Sequence, residues 1–163
     1  MNEVAPLDMD LGAIDTSMPL LKSEEYYDFV IKKAEVRDTA KGGEMIHVEL
    51  ATLNPATDMK GASLGAGVMV FDNVNCKAGP GAKPAAVEMA KKSTAALVQA
   101  CGFTGYQKFG TTASEQLATA RQWAPQLNGL TLRARVGYNG PGIAPNGKSF
   151  KEKNVITLYV KKA

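Results

Sequence analysis

The sequence contains few of the side chains from which metal centres and disulfide frameworks are built. Its 163 residues include two cysteines, Cys76 and Cys101, and a single histidine, His47. A four-ligand zinc site needs more such side chains than these, and two cysteines favour reduced thiols over a disulfide framework. We expect Cys76 to be a loop thiol and Cys101 a core thiol. We therefore expect a cytoplasmic protein that needs no cofactor.

Long apolar runs are missing as well. None approaches the roughly 18 residues that a membrane helix needs, so we expect no membrane span. Residues 1–19 carry four acids and no base, which is opposite in charge to a secretory or transit signal. We interpret residues 1–19 as an acidic, poorly ordered leader, followed by one domain over residues 20–163.

Catalytic groups are sparse in the domain. The sequence has neither the HExxH motif of zinc proteases nor a CxxC motif. His47 and Glu49 would share one face of a strand. Without a nucleophile or metal set beside them, this pair is interpreted as a polar outer face rather than an acid–base couple. We expect a protein that is not an enzyme.

Charge is distributed unevenly along the chain. Residues 1–28 have a net charge of −6 and residues 29–163 a net charge of +9, which together give the +3 of the whole chain. A basic body of this kind attracts polyanions. The acidic leader is a candidate for lying across the basic surface or for contacting a protein partner, with a solubilising tail as the other interpretation.

Alternation, turn residues and helical spacing predict a mainly β fold with one or two helices. The apolar phase of the first strand changes near Lys32 and Lys33, which predicts a β-bulge. Pro84 and Gly102 delimit the longer helix. The predicted elements are strands at 26–37, 45–53 and 64–74, helices at 84–101 and 114–124, and strands at 130–136 and 154–160.

This order favours a five-stranded, OB-fold-like Greek-key barrel with the helix between strands 3 and 4. Such barrels bind oligonucleotides or oligosaccharides on one face and through the loops joining strands 1–2 and 4–5, which are residues 38–44 and 138–153 here. An antiparallel sandwich with helices in its crossovers and an open α+β sheet are the alternatives.

Cations and aromatic rings concentrate on the first strand, on the last two strands and in the loop between those two. If the fourth strand turns its leucines inward, Arg133 and Arg135 project outward together. Alternation on the fifth strand places Leu158 inside and Tyr159 outside. Single-stranded nucleic acids need such a mixture of cations and flat rings. The candidate nucleic-acid-binding residues are Lys32, Lys33, Arg37, Lys41, Phe71, Arg133, Arg135, Tyr138, Lys148, Phe150, Lys151, Lys153 and Tyr159. Ordinary surface cations and packed rings are the competing interpretation.

Short hydrophobic and glycine patterns between residues 20 and 161 carry a family resemblance. They are Tyr27-x-Phe29-x-Ile31, Ala34-Glu35-Val36, Lys41-Gly42-Gly43, His47-Val48-Glu49-Leu50, Val70-Phe71-Asp72-Asn73-Val74, Leu97-Val98-Gln99-Ala100-Cys101-Gly102 and Leu127-x-Gly129-x-Thr131-Leu132-x-Ala134-x-Val136-Gly137. Together they resemble small single-stranded DNA-binding proteins of bacteriophages. One departure is the carboxyl end, which is basic here, whereas many such proteins carry an acidic tail there.

The resemblance implies an OB-fold that coats single strands without catalysis, in phage DNA replication or recombination and in the host cytoplasm. Single-stranded DNA is then the expected partner, and the leader is a candidate for recruiting replication or recombination proteins. The alternative function is a protein-interaction module, such as a phage accessory or inhibitor subunit, on the same barrel. A small hydrolase is a third class, and a homodimer through an exposed strand edge stays open.

Overall fold

A computed structural model describes residues 10–13 and 19–162 of the chain. Its main element is one five-stranded antiparallel sheet with the order β5-β2-β1-β6-β9. The strands are β1 Glu25–Asp38, β2 Glu44–Thr52, β3 Ala56–Thr57, β4 Ser63–Leu64, β5 Met69–Lys77, β6 Thr131–Asn139, β7 Gly142–Ile143, β8 Ser149–Phe150 and β9 Lys153–Val160. The helices are α1 Pro84–Cys101, α2 Ala113–Ala118 and α3 Ala120–Trp123.

The mainly β class, the five long strands and the long helix are confirmed. The predicted second helix is divided into α2 and α3, and two small hairpins, β3–β4 and β7–β8, lie in segments predicted as loops. Most of the predicted leader is outside the described residues. Of the part that is described, Leu11–Ala13 form an exposed 3-10 turn.

β1 contains the predicted bulge. Its register with β2 shifts between Ile31 and Lys33. Phe29 and Ile31 before the shift and Ala34 after it are all buried. One additional residue therefore resets the alternation and keeps both halves of β1 directed into the core.

The segment before β6 satisfies the backbone groups that the bulge removes from the ladder. The Ile31 amide donates to the Leu130 carbonyl at 2.8 Å, and the Ala34 amide donates to Asn128 Oδ1 at 2.7 Å. Pairing of β1 with β6 extends only as far as Val30. The bulge is thus a stabilised bend rather than a gap in hydrogen bonding.

The core lies between the inner face of the sheet and α1. The helix buries Ala90, Thr94, Leu97 and Val98 at helical spacing, and it ends at Gly102 with a φ of 68°. Additional aromatic and aliphatic volume comes from the segment before β6, where Trp123 and Leu127 are fully buried. These residues fill the space that the curved sheet encloses.

Cys76 is not the loop thiol that the sequence predicts. β5 continues to Lys77, and Cys76 has no exposed surface within it. Burial raises the pKa of its thiol to about 11. Cys101 is confirmed as a core thiol, and burial raises its pKa as well.

β9 contains a second bulge, which the sequence did not indicate. The register with β6 shifts between Arg135 and Val136, and Thr157 is the additional residue. The shift reverses the alternation, so Leu158 is 51% exposed and Tyr159 is largely buried against the core. The prediction that Leu158 points inward and Tyr159 outward is therefore wrong.

The sheet has two edges, β5 and β9. Among the described residues no ladder of backbone hydrogen bonds joins them, so a closed barrel is not observed. A side-chain contact does connect the edges, since the Tyr159 hydroxyl donates to Asp72 Oδ2 at 2.6 Å. The edges therefore face each other across an unpaired seam.

The loop between β1 and β2 is fixed at both of its ends. Arg121 of α3 hydrogen-bonds to Asp38, and its Nε donates to Glu44 Oε2 at 2.9 Å. The bond to Glu44 raises the pKa of Arg121. Gly79 packs against the same loop so closely that a Cβ atom there would lie 2.2 Å from the Lys41 carbonyl oxygen, a separation at which only glycine fits.

Asn154 attaches the chain before β1 to the sheet. It is 8% exposed, its Oδ1 accepts from the Leu21 amide at 2.7 Å, and its Nδ2 donates to the carbonyls of Leu21 and Gly137 at 3.1 and 3.2 Å. One side chain thus satisfies three buried backbone groups. Each would cost about 1–3 kcal/mol if left without a partner.

We expect Asn154→Leu to lower the free energy of unfolding by about 2–4 kcal/mol, because leucine leaves those buried groups unpaired. Urea denaturation followed by circular dichroism measures the change. Asn139→Ala, at an exposed position of β6, is the control and should change stability by less than about 0.5 kcal/mol. Equal effects of the two substitutions would contradict this account of Asn154.

Candidate nucleic-acid interface

A groove of about 820 Å³ lies between the edge of β5 and the start of β9. One wall consists of residues 69–73 and the other of residues 151–155, with Pro19, Leu20 and Pro141 completing the lining. Phe71 belongs to the first wall, and Lys151 and Lys153 belong to the second. The structure thus brings three of the predicted nucleic-acid-binding residues together.

Phe71 presents an aromatic surface to this groove. It is 45% exposed because it points to the outer face of β5, between Val70 and Asp72, which are directed inward. The His47 ring lies beside it, 18° from parallel and 6.1 Å between centroids. A large apolar ring left open on a strand is suited to stacking on an unpaired base.

Lys151 and Lys153 supply the positive charge of the groove. Both are exposed, and within residues 10–13 and 19–162 neither takes part in an ion pair within 4 Å. Their charges are therefore available to a phosphate. Glu152 between them also lines the groove, and its Oε2 accepts a hydrogen bond from the Tyr138 hydroxyl at 2.6 Å.

Asp72, which belongs to the groove wall, forms a polar pair with Tyr159. Burial raises the pKa of Asp72, although the hydrogen bond from Tyr159 and the charge of Lys153 oppose that shift. Burial and the neighbouring Asp72 place the pKa of Tyr159 well above its ordinary value. The Tyr159 hydroxyl is thus already hydrogen-bonded within the protein, and its ring is packed against the core rather than exposed for stacking on a base.

Arg133 and Arg135 lie on the outer face of β6, and that predicted facing is confirmed by the burial of Leu132 and Ala134 beside them. Both guanidinium groups are paired with acids. Arg133 Nη1 is 3.2 Å from Asp28 Oδ1, and Arg135 hydrogen-bonds to Glu24.

Arg133 belongs to a second depression rather than to the groove. Its guanidinium carbon is 5.7 Å from the centre of the Tyr26 ring, and both residues line a pocket of about 480 Å³ beside the β3–β4 hairpin. The two arginines are therefore not among the residues that line the groove with Phe71.

The predicted cations of β1 are distributed along the strand and its loop. Lys32 is exposed at the bulge, and Lys41 is exposed in the loop after β1. Glu35 lies between Lys33 and Arg37, with separations of 3.6 and 2.6 Å. The hydrogen bond from Arg37 is the main reason that the pKa of Glu35 is lowered.

Three predicted residues belong to the connection from β6 to β9. Tyr138 is partly exposed at the end of β6, and its hydrogen bond to Glu152 raises its pKa. Lys148 is exposed in the turn of the β7–β8 hairpin. Phe150 belongs to β8, and its side chain is outside what the structure describes.

Two segments have the residue pattern of a catalytic motif, and neither is among the candidate sites that the sequence analysis names. Gly142–Ser149 reads GxxxxGKS, a phosphate-binding loop pattern. In the structure it is the β7–β8 hairpin, and no helix follows it before β9. The amides of Ala144, Gly147 and Lys148 donate within the turn, so they do not form a cradle of free donors for phosphate.

Gly61–Gly65 reads GxSxG, the pattern of a nucleophile elbow. An elbow places its serine on a sharp turn from a strand into a helix. Ser63 instead lies in the short strand β4, and the chain continues into β5. The geometry of this segment is therefore that of a small hairpin.

The described part of the chain contains no cluster of three or more histidine, cysteine, aspartate or glutamate side chains that could hold a metal ion. Among the same residues no helix is long and apolar enough to cross a membrane. No model of a known protein family matches the chain, and no curated protein sequence matches it significantly.

We expect Asp72→Asn to stabilise the protein at pH 7. The raised pKa means that ionising Asp72 costs more in the folded than in the unfolded state, so this residue lowers stability as pH rises through its folded pKa. Asparagine keeps the acceptor for Tyr159 without the charge. The gain should disappear below the ordinary pKa of 3.8, where aspartate is protonated in both states.

Thermal unfolding of both proteins between pH 3 and pH 7 measures this difference, with Asp10→Asn as an exposed, charge-matched control. A gain that does not depend on pH, or a loss of stability at pH 7, would show that desolvation of Asp72 is not the dominant effect.

Proposed function

We propose that the protein binds single-stranded DNA, without catalysis and largely without sequence preference, in the groove between β5 and β9. One observation carries the proposal: the exposed ring of Phe71 shares a groove with two lysines that have no ion-pair partner among the described residues. The resemblance noted above suggests a role in phage DNA replication or recombination.

The groove supplies the two kinds of contact that an unpaired strand needs. A base stacked on an aromatic side chain gains about 1–3 kcal/mol, whichever base it is. Lys151 and Lys153 would neutralise adjacent phosphates, and each neutralised phosphate adds about 0.7 to the salt dependence of binding. A base within a duplex already has both faces stacked, so Phe71 favours single strands.

The strand order supports an OB-type barrel that is open between β5 and β9. The five long strands pair in the order third, second, first, fourth and fifth, and α1 follows the third. OB-folds bind oligonucleotides on the face of strands 2 and 3 and through the loops 1–2 and 4–5. In this chain those are the outer face of β2 and β5, the loop after β1 and the connection bearing β7 and β8.

Protein partners are proposed for two parts of the chain, the acidic leader and the edge strands of the sheet. Residues 1–9 and 14–18 are outside the described residues, and recruitment of replication or recombination proteins by the leader stays a prediction. The edges of β5 and β9 are the places where a homodimer would form by strand pairing. A cytoplasmic location accompanies the proposal.

A protein-interaction module is the second candidate function. It is favoured by apolar side chains that are exposed outside the groove: Leu158 at 51%, Met89 at 62% and Val87 at 40%. Such residues are common at interfaces when they are contiguous. This function predicts no salt-sensitive affinity for DNA.

Two groove variants test the proposal. We expect Phe71→Ala to weaken binding of a labelled oligothymidylate about 5- to 100-fold, because the stacking surface is lost. Lys151→Glu combined with Lys153→Glu should weaken binding and reduce the slope of log affinity against log salt by about 1.4. Fluorescence anisotropy at several salt concentrations measures both effects.

Lys92→Glu combined with Lys108→Glu is the charge-matched control, since both residues are exposed and neither lines the groove. It should keep the wild-type affinity within about threefold, because only long-range attraction is reduced. If the control double variant loses as much affinity as the groove double variant, binding is not localised to this groove. A wild-type protein that binds duplex and single strand equally would also contradict the proposal.

A further inference from the structure

Phe71 has three neighbours on the outer face of β2 and β5, which together form its support: His47, Glu49 and Asn73. The cross-strand pairs His47–Asn73 and Glu49–Phe71 are neighbours on this face, with the pair Val48–Asp72 between them in the register. His47 Nδ1 lies 2.8 Å from Asn73 Oδ1, and His47 Nε2 lies 3.1 Å from Glu49 Oε2. Each ring nitrogen lies within hydrogen-bond distance of a neighbouring side chain, and these contacts restrict the plane of the imidazole.

The imidazole lies against the phenyl ring. The two rings are 18° from parallel, with 6.1 Å between their centroids. The side chain of His47 is 12% exposed, whereas Phe71 is 45% exposed. His47 is therefore mostly buried beside Phe71, whereas the Phe71 ring is exposed and lines the groove.

This support limits the conformations that Phe71 adopts before a ligand arrives. An exposed phenylalanine on a strand has several rotamers available, and a ligand that stacks on one of them must pay for ordering the ring. A neighbouring ring that favours the stacking rotamer reduces that cost in advance.

We propose that His47 is a positioning residue that holds Phe71 in the orientation needed to stack on a base. The proposal rests on the function proposed above, because it concerns how that groove is ordered. His47 acts through Phe71 and is not required to touch DNA. Glu49 and Asn73 orient His47 and complete the assembly.

A double-mutant cycle with a labelled oligothymidylate of about 20 nucleotides tests the coupling. We expect His47→Ala to weaken binding about three- to tenfold in the wild-type background, because the ordering cost returns. In the Phe71→Ala background the same substitution should have no effect. Gln107→Ala, at an exposed position after α1 that does not line the groove, is the control and should leave affinity unchanged.

His47→Phe keeps a ring beside Phe71 and should bind more tightly than His47→Ala. Loss of affinity on His47→Ala that is equally large without Phe71 would show that His47 contacts DNA by itself, and the positioning role would be wrong. Wild-type affinity in His47→Ala alongside weakened binding in Phe71→Ala would also overturn it.

A readout without DNA separates this proposal from the function on which it rests. In ¹³C-resolved NMR spectra of the free protein, we expect the Phe71 ring resonances of His47→Ala to move towards averaged values. Unchanged ring resonances would overturn the positioning role even if the groove binds DNA. Failure of the wild-type protein to bind the oligonucleotide would instead overturn the proposed function, whatever the NMR result.

Discussion

The bend in β1 is the constraint on which the groove depends. One half of β1 pairs with β6 and the other mainly with β2, and the bulge between Ile31 and Lys33 separates them. Because β5 is attached to β2 and β9 to β6, bending β1 turns the two edges towards each other. They meet through Tyr159 and Asp72 and remain without a backbone ladder among the described residues, which leaves the seam beside which the groove opens.

Charge is used in two different ways in this molecule. Arg121 and Arg133 are paired with carboxylates, where they hold a loop and the outer face of the sheet in place. Exposed pairs of this kind contribute little stability individually, and their positive charge is largely neutralised. Lys151 and Lys153 have no such carboxylate partner within 4 Å among the described residues, so their positive charges are available to a ligand. The net charge of residues 29–163 therefore overstates the area of the surface on which unpaired positive charge is available to bind a polyanion.

Alternation and helical spacing were sufficient to predict the long elements, because each contains a recognisable run of apolar residues. The bulge in β1 was predictable since both phases of its alternation are apolar. The bulge in β9 was not, because Ile156, Leu158 and Val160 alternate without a break, and only pairing with β6 introduces the shift. Alternation was sufficient to predict that Arg133 and Arg135 face outward. Their acidic partners were not predictable, because these come from segments distant in sequence. The grouping of Phe71 with Lys151 and Lys153 was not predictable either, because it depends on the curvature of the whole sheet.

The most direct test of the account is an amide NMR titration of the ¹⁵N-labelled protein with an oligothymidylate. The proposed groove predicts that the largest chemical-shift changes occur at residues 69–73 and 151–155, with smaller changes in the β7–β8 hairpin. Residues 26–28 and 133–135, around the arginines already paired with acids, should change little. Shift changes concentrated at those arginines, or no change at a saturating concentration of oligonucleotide, would contradict the account.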